Sequence, residues 1–96
     1  MEPIKPIYDF SAEKNQQLIA QRGLSFEDII AAISDGRVLD IIEHSNQKKY
    51  PGQWIYLINL NNYVHLVPFV KKDEHTVFFK TIFPSRKLTK QYLGDI

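Results

Sequence analysis

The sequence predicts an α+β protein in which an N-terminal strand and an αα-hairpin pack on an antiparallel sheet meander that a short C-terminal helix follows. Two observations carry this prediction. Helical periodicity and capping residues occupy residues 11–36, whereas apolar runs separated by short turns occupy residues 37–83. Because helices and strands are segregated along the chain, an antiparallel sheet covered on one face by the two helices is favoured.

The first elements are predicted from their end signals. Residues 4–10 alternate loosely and predict a short strand, which Pro6 restricts to a sheet edge. Ser11 is suited to cap a helix that runs to about Arg22 and stops at Gly23. A second helix begins at Ser25, which forms a capping-box pattern with Asp28. Its apolar residues recur at helical spacing until Gly36, and they are Phe26, Ile29, Ile30 and Ile33.

The remaining chain predicts four strands and a closing helix. Residues 37–44 form the first strand, and a polar loop with a Pro51-Gly52 turn follows it. Residues 53–60 and 63–70 flank Asn61-Asn62, a pair that favours a two-residue hairpin turn. Residues 75–83 form the last strand, and Pro84 and Ser85 lead into a helix over residues 86–93.

The run over residues 53–60 is nearly all apolar, which raises a question about its second face. If the two helices cover one face of the sheet, the other keeps large apolar side chains, and such surfaces mark partner sites. Alternatively, the closing helix and the loop at residues 45–52 cover this face. The sequence leaves both interpretations open.

Length and composition favour one domain over residues 1–96. The chain has 44% hydrophobic residues, enough for a single core. It has no cysteine, which excludes disulfides and thiolate nucleophiles. The histidines at positions 44, 65 and 75 lack metal-ligand spacing, and we expect neither a metal site nor a cofactor.

The charge and the hydropathy pattern also limit the functional classes. A net charge of +1 disfavours nucleic-acid binding driven by overall charge, including direct DNA binding by the chain alone, so any attraction must come from a local patch. No apolar run approaches the roughly 18 residues of a membrane span, and no signal peptide is recognisable. We expect a soluble, cytoplasmic protein without a membrane partner.

Two segments resemble the BrnT family of bacterial toxins, within the RelE/ParE-like superfamily. In residues 10–29, the family pattern of an aromatic residue, a lysine, a glycine and a Ser-Phe-Glu run is met by Phe10, Lys14, Gly23, Ser25, Phe26 and Glu27. In residues 82–93, a strand leads into an arginine and a basic helix with a tyrosine, which correspond to Arg86 and Tyr92. Where many relatives carry an arginine after the Pro-Gly-like turn, this sequence has Gln53 and Trp54.

The resemblance implies the toxin of a type II toxin–antitoxin pair, which cleaves RNA without a metal and is covered by a cognate antitoxin. The antitoxin would be a small DNA-binding protein of ribbon–helix–helix or similar type. The substitution at Gln53-Trp54 keeps a second interpretation open, namely a non-catalytic protein-binding module on the same scaffold.

Candidate catalytic residues follow from the chemistry of metal-free RNA cleavage, which needs a base, an acid and cations around the phosphate. Arg86 suits the phosphate, because its planar fork holds two oxygens and keeps its charge. Lys80 would assist from the last strand, on the same face as Phe78 and Ile82. His44 is the candidate acid or base near neutral pH.

Candidate RNA-binding residues are Lys14 on the first helix and three residues of the closing helix, Lys87, Lys90 and Tyr92. The alternative for the lysines is a solvated helix surface, and for Tyr92 a packing anchor. His65, within an apolar strand, is interpreted as a hydrogen-bonded core or interface group.

Overall fold

The computed structural model describes residues 6–94, and within them it contains three helices and six strands. The strands are Ile7–Asp9 (β1), Val38–Glu43 (β2), Trp54–Leu60 (β3), Tyr63–Lys71 (β4), Thr76–Phe79 (β5) and Phe83–Pro84 (β6). The helices are Ala12–Arg22 (α1), Phe26–Ser34 (α2) and Arg86–Leu93 (α3). The α+β class is confirmed. The predicted start of the first strand at residue 4 lies outside the described residues.

The helix ends form where the sequence predicts them. The Ser11 hydroxyl accepts a hydrogen bond from the Lys14 N–H at 3.1 Å, and Gly23 ends α1 with a φ of 66°. Both bonds of the Ser25–Asp28 capping box are present, so α2 also begins at its predicted residue.

The sheet is mixed rather than wholly antiparallel. Its order is β1-β5-β4-β3-β2, and the meander from β2 to β5 is antiparallel as predicted. β1 joins β5 in parallel, with Ile7 opposite Thr76. Asn61 and Asn62 take φ values of 54° and 62°, the positive values that a tight hairpin turn requires.

The predicted last strand over residues 75–83 is two strands along one edge of β4. β5 pairs with residues 69–71 and β6 with residues 65–66, and the register shifts by one residue between them. The core explains the shift. Val77 and Phe79 point into it, so an unbroken strand would next turn Thr81 inward. The break lets Ile82 take that place, where its side chain is 1% exposed.

Helices cover both faces of the sheet. On the first, here called the hairpin face, α1 and α2 bury Leu18, Phe26 and Ile29 against strand residues that include Ile58, Val67 and Phe79. On the second, called the α3 face, a smaller cluster joins Leu88, Tyr92 and Leu93 to Ile55, Leu57 and Val64. β3 is therefore apolar because both its faces are buried. The closing helix covers part of the second face, as one of the two sequence interpretations states.

Candidate nucleic-acid interface

Helix α3 carries basic residues on its outer side. Arg86, Lys87 and Lys90 are exposed, and the helix has no acidic residue in its first turn. Arg86 and Lys87 occupy the helix N-terminus, where the helix dipole is positive and disfavours cations. Arg86 and Lys90 are also four residues apart, a spacing at which like charges repel. An anion bound here would relieve both unfavourable interactions.

Hydrogen bonds hold α3 in this orientation. The Ser85 hydroxyl accepts from the Leu88 N–H at 3.1 Å and caps the helix. Thr89 is buried, and its hydroxyl accepts from the Val64 N–H at 2.8 Å while donating to the Ser85 carbonyl at 2.7 Å. The helix is thus anchored to β4 through its inner side, and the basic side chains are directed outward.

Lys80 lies along the same edge of β4 as the start of α3. It follows β5 rather than lying within a strand, and its N–H donates to the Pro68 carbonyl at 2.8 Å. Its Nζ is 5.3 Å from the centre of the Phe78 ring. Phe78 is opposite Val70, which places the ring and the lysine on the α3 face.

The spacing along β4 relates Lys80 to Arg86. The Ser85 N–H donates to the Val64 carbonyl, four residues along β4 from the bond that Lys80 makes. Strand geometry puts these two points about 13 Å apart. The Lys80 side chain extends towards Phe78, which is opposite Val70, so it would have to turn towards Ser85 to share a phosphate group with Arg86. We call Lys80, Arg86, Lys87 and Lys90 the basic edge.

Within the part of the chain that the structure describes, no carboxylate pairs with the basic edge. The ion pair found among residues 6–94 joins Lys72 Nζ to Asp9 Oδ2 at 2.7 Å. That contact lowers the pKa of Asp9, chiefly through the hydrogen bond from Lys72. The four cations of the basic edge therefore remain available to a bound anion.

Tyr92 is engaged within the fold. Its hydroxyl donates to Asp40 Oδ2 at 3.0 Å, and this bond is the main cause that raises the pKa of Tyr92. Its ring packs with Leu88 and Leu93 on the α3 face. Tyr92 thus joins α3 to β2, and sequence reasoning had no local signal for Asp40 as its partner.

His44 lies far from the basic edge. His44 follows β2, and its N–H donates to the carbonyl of Gln53, the residue before β3. The Ser85 N–H donates to the carbonyl of Val64, near the opposite end of the strands and on the far side of β4. Three strand spacings and six residues along the strands separate the two backbones by about 25 Å. The His44 ring packs on Tyr50, and its Nδ1 accepts from the Asn46 N–H at 3.0 Å. The structure does not bring His44 and Arg86 together.

Lys14 belongs to the other face of the sheet. It lies on α1, within the hairpin layer, and is partly buried. The sheet therefore separates it from α3. Of the predicted site residues, the structure groups Lys80, Arg86, Lys87 and Lys90, with Tyr92 on the inner side of the same helix.

The other histidines have structural surroundings. His65 is 8% exposed, and its Nδ1 lies 3.1 Å from the Tyr63 carbonyl. Burial lowers its pKa more than the hydrogen bond with the Tyr63 carbonyl raises it, and the charge of Arg22 lowers it further. No group of three or more metal-ligating side chains occurs among residues 6–94. No helix in the same range is long and apolar enough to cross a membrane.

An apolar groove lies on the hairpin face, away from the basic edge. It has a volume of about 670 Å³ and is lined by Ile41, Gly52, Trp54, Tyr56, Phe69, Lys71 and Val77. Trp54 is 41% exposed, although it is a large apolar residue. Gln53 and Trp54, which stand where many relatives carry an arginine, thus lie beside a second surface suited to a partner, the apolar groove.

The fold is similar to a solved structure of known activity. The 1.1 Å crystal structure of the Brucella abortus ribonuclease toxin BrnT aligns with a TM-score of 0.58, over 86% of this chain and 97% of the toxin. The chain has a BrnT-like fold. Sequence identity to BrnT is 16%, so the likeness is one of fold. No protein-family model matches the sequence, and no curated protein matches it. The BrnT-like architecture expected from the two sequence segments is confirmed.

Proposed function

We propose that the chain is the toxin of a type II toxin–antitoxin pair and cleaves RNA without a metal ion. The observation that carries the proposal is the basic edge, formed by Lys80 and the three basic residues along α3, which have no carboxylate partner among residues 6–94. The fold of a ribonuclease toxin supports the reaction class. In this proposal the RNA phosphates bind along the basic edge, and the toxin acts in the cytoplasm.

Arg86 would stabilise the phosphate in the transition state. Its guanidinium donates parallel hydrogen bonds to two phosphate oxygens, and the N-terminus of α3 adds a positive potential. Lys80 would neutralise charge on the same or the neighbouring phosphate, and Lys87 and Lys90 would bind the flanking backbone. Removing one such donor commonly slows a reaction by roughly 10²- to 10³-fold.

The proposal does not use His44 at this site, because about 25 Å separate its backbone from the start of α3. Lys14 is likewise omitted from the RNA path, since it lies on the other face of the sheet. If Lys14 has a role, the antitoxin interface fits its position better. The antitoxin would be a small DNA-binding protein that inhibits the toxin.

The alternative is a non-catalytic binding module. The exposed Trp54 and its apolar groove favour this alternative, since large exposed apolar surface marks interaction sites. The two functions differ in one outcome, because only the enzyme would lose an activity when Arg86 is replaced.

The test is inducible expression of wild type, Arg86→Ala and Lys48→Ala in a bacterial host, with growth and intact RNA as readouts. Lys48 is an exposed lysine of the polar loop and serves as the charge-matched control. Wild type and Lys48→Ala should arrest growth and degrade RNA, whereas Arg86→Ala should not. Purified wild type should cleave RNA equally well in excess EDTA.

Three outcomes would each contradict a different part of the proposal. Loss of cleavage in EDTA would contradict the metal-free mechanism, and equal activity of Arg86→Ala would remove Arg86 from the site. A folded wild type that neither arrests growth nor cleaves RNA would favour the binding module.

A further inference from the structure

Strand β2 forms an open edge of the sheet. It pairs with β3 on one side, and no strand among residues 6–94 pairs with its other side. Residues 40–43 are exposed, with Ile41 at 47% and Ile42 at 37%. An open edge with apolar side chains on both faces is a template for a further strand.

The backbone groups that face outward can be assigned. The His44 N–H donates to the Gln53 carbonyl at 3.0 Å, so the backbone of His44 faces β3. Bonded and non-bonded pairs alternate in an antiparallel ladder, and the backbone groups of Ile41 and Glu43 therefore face away from β3. The Ile41 N–H donates instead to Asp40 Oδ1 at 2.8 Å. This carboxylate occupies the place that a neighbouring strand's carbonyl would take.

The apolar groove borders the same edge. Ile41 is opposite Tyr56 and Glu43 is opposite Trp54, so both side chains project on the hairpin face, where the groove lies. A strand added beside β2 would direct every second side chain towards this groove. Main-chain bonds and a pocket for alternate side chains are the two parts of recognition by strand addition.

Charge indicates what the added strand carries. β2 has two acidic residues, Asp40 and Glu43, and no basic one, whereas many edge strands carry lysine that discourages pairing. Asp40 is held by Tyr92, so Glu43 is the carboxylate open to a partner. A lysine or arginine opposite Glu43 would be favourable, with an apolar residue two positions away, opposite Ile41.

A second copy of the chain fits this edge less well. Opposite residues in an antiparallel pair both face the partner strand or both face away from it, so two β2 strands can be centred on Ile41, Ile42 or Glu43. These registers place Glu43 opposite Leu39, Ile41 or Glu43 of the other copy, so none gives it a basic partner and the last sets two carboxylates directly opposite. Like charges in directly opposite positions destabilise a strand pair. The acidic character of the edge therefore favours a different protein with a basic segment.

We propose that a partner protein docks by adding an extended segment to the open edge of β2, with an apolar residue over the groove and a basic residue opposite Glu43. The inference rests on the proposed function only for the identity of the partner. If the chain is a toxin, the antitoxin supplies the added segment and binds at β2. The basic edge on α3 is separate and would bind RNA.

The probes are two synthetic nine-residue peptides with capped ends, of the pattern Thr-Val-Thr-Ile-Thr-Lys-Thr-Val-Thr and the same with Glu in place of Lys. NMR titration should locate binding at β2, and the outward Glu43 amide should become protected from hydrogen exchange. At low salt the Lys peptide should bind about fivefold more tightly than the Glu peptide. Glu43→Lys should reverse this preference.

Matched variants separate the edge from general charge effects. Glu74→Lys makes the same charge change in the exposed β4–β5 turn and should keep the wild-type preference. Ile41→Lys should abolish binding of both peptides, whereas Ile19→Lys should not, although Ile19 is similarly exposed at 44%. Unchanged amide spectra away from each substitution confirm that the variants are folded.

The proposal is overturned if the peptides do not bind, if they bind without protecting the Glu43 amide, or if that amide is already protected in a dimer of the free chain. The experiment contains no RNA. If the chain binds the peptides but does not cleave RNA, docking at β2 stands and the nuclease proposal is rejected. If it cleaves RNA but does not bind the peptides, docking at β2 is rejected and the nuclease proposal stands.

Discussion

Asn15 joins the two helices of the hairpin through one buried side chain. Its Oδ1 accepts from the Phe26 N–H at 2.7 Å, and its Nδ2 donates to Glu27 Oε1 at 2.6 Å. The first bond satisfies an amide at the start of α2, where helical N–H groups have no partner within the helix. The sequence gives Asn15 no distinguishing pattern, because its partners are eleven and twelve residues away.

Replacing Asn15 by leucine should destabilise the protein by about 1–3 kcal/mol, since the buried Phe26 N–H loses its acceptor. Gln16→Leu, on the exposed side of α1, should change the free energy of unfolding by less than about 0.5 kcal/mol. Urea unfolding of both variants measures the difference. Equal stabilities would show that water replaces the Asn15 carbonyl at no cost.

His65 makes stability depend on pH. Burial lowers its pKa in the folded state below the usual value of 6.5, and the nearby charge of Arg22 acts in the same direction. The unfolded chain therefore takes up a proton first as pH falls. The contribution of His65 is complete above pH 6.5 and is lost as pH falls from 6.5 through the folded-state pKa.

His65→Gln should flatten this dependence. Glutamine can still bond to the Tyr63 carbonyl but does not titrate. The free energy of unfolding of wild type should fall more steeply than that of the variant as pH decreases below 6.5, by at most about 1.4 kcal/mol per pH unit. Urea titrations at a series of pH values test this. Parallel curves for the two proteins would contradict a lowered pKa at His65.

At the scale of elements, α3 closes the edge of β4 that β5 and β6 leave open. Thr89 accepts from the Val64 N–H, and the Ser85 N–H donates to the Val64 carbonyl. Both backbone groups of Val64 on this side are thus satisfied by the start of α3. This attachment fixes which side of the helix is exposed, and with it the direction of Arg86 and the lysines.

Thr89→Val, which keeps the shape but removes the hydroxyl, should cost about 1–3 kcal/mol because the Val64 amide is left buried without an acceptor. Thr89→Ser is the control, since it keeps the hydroxyl and loses one methyl group, worth about 0.8 kcal/mol. Urea unfolding gives the two costs, and hydrogen exchange at the Val64 amide shows whether the attachment is lost. A serine variant less stable than the valine variant would contradict the bond's role.

The elements that sequence analysis predicts well are those with local causes. The caps at Ser11 and Ser25 and the turn at Asn61-Asn62 each follow from neighbouring residues, and all occur. The parallel pairing of β1 with β5 and the break before Ile82 depend on distant partners, and the sequence did not predict them. For the same reason, helical spacing predicted that the lysines of α3 face outward, whereas no local pattern predicted the distance between His44 and Arg86.

At the scale of the molecule, the net charge of +1 conceals an uneven distribution. No acidic residue occurs between Lys80 and Gly94, while β2 at the far edge carries Asp40 and Glu43. The α3 segment and the β2 edge therefore differ in the sign of their charge, and each favours a different class of partner.

RNA binding through the basic edge should depend on salt in proportion to the cations it uses. For single-stranded nucleic acid, each neutralised phosphate contributes about 0.7 to the slope of log K against log salt concentration. The double variant Lys87→Gln with Lys90→Gln should therefore reduce the slope by about 1.4. Lys48→Gln with Lys49→Gln removes the same charge from the exposed loop and should leave the slope unchanged.

The measurement is fluorescence anisotropy with a 2′-O-methyl oligoribonucleotide, which keeps the phosphate charges but has no free 2′-hydroxyl for cleavage. Titrations between about 50 and 200 mM salt give each slope. If the loop variant and the α3 variant reduce the slope equally, the attraction comes from the overall charge of the protein. A reduction confined to the α3 variant places the phosphates along the basic edge, because counterion release counts only the cations in contact with them.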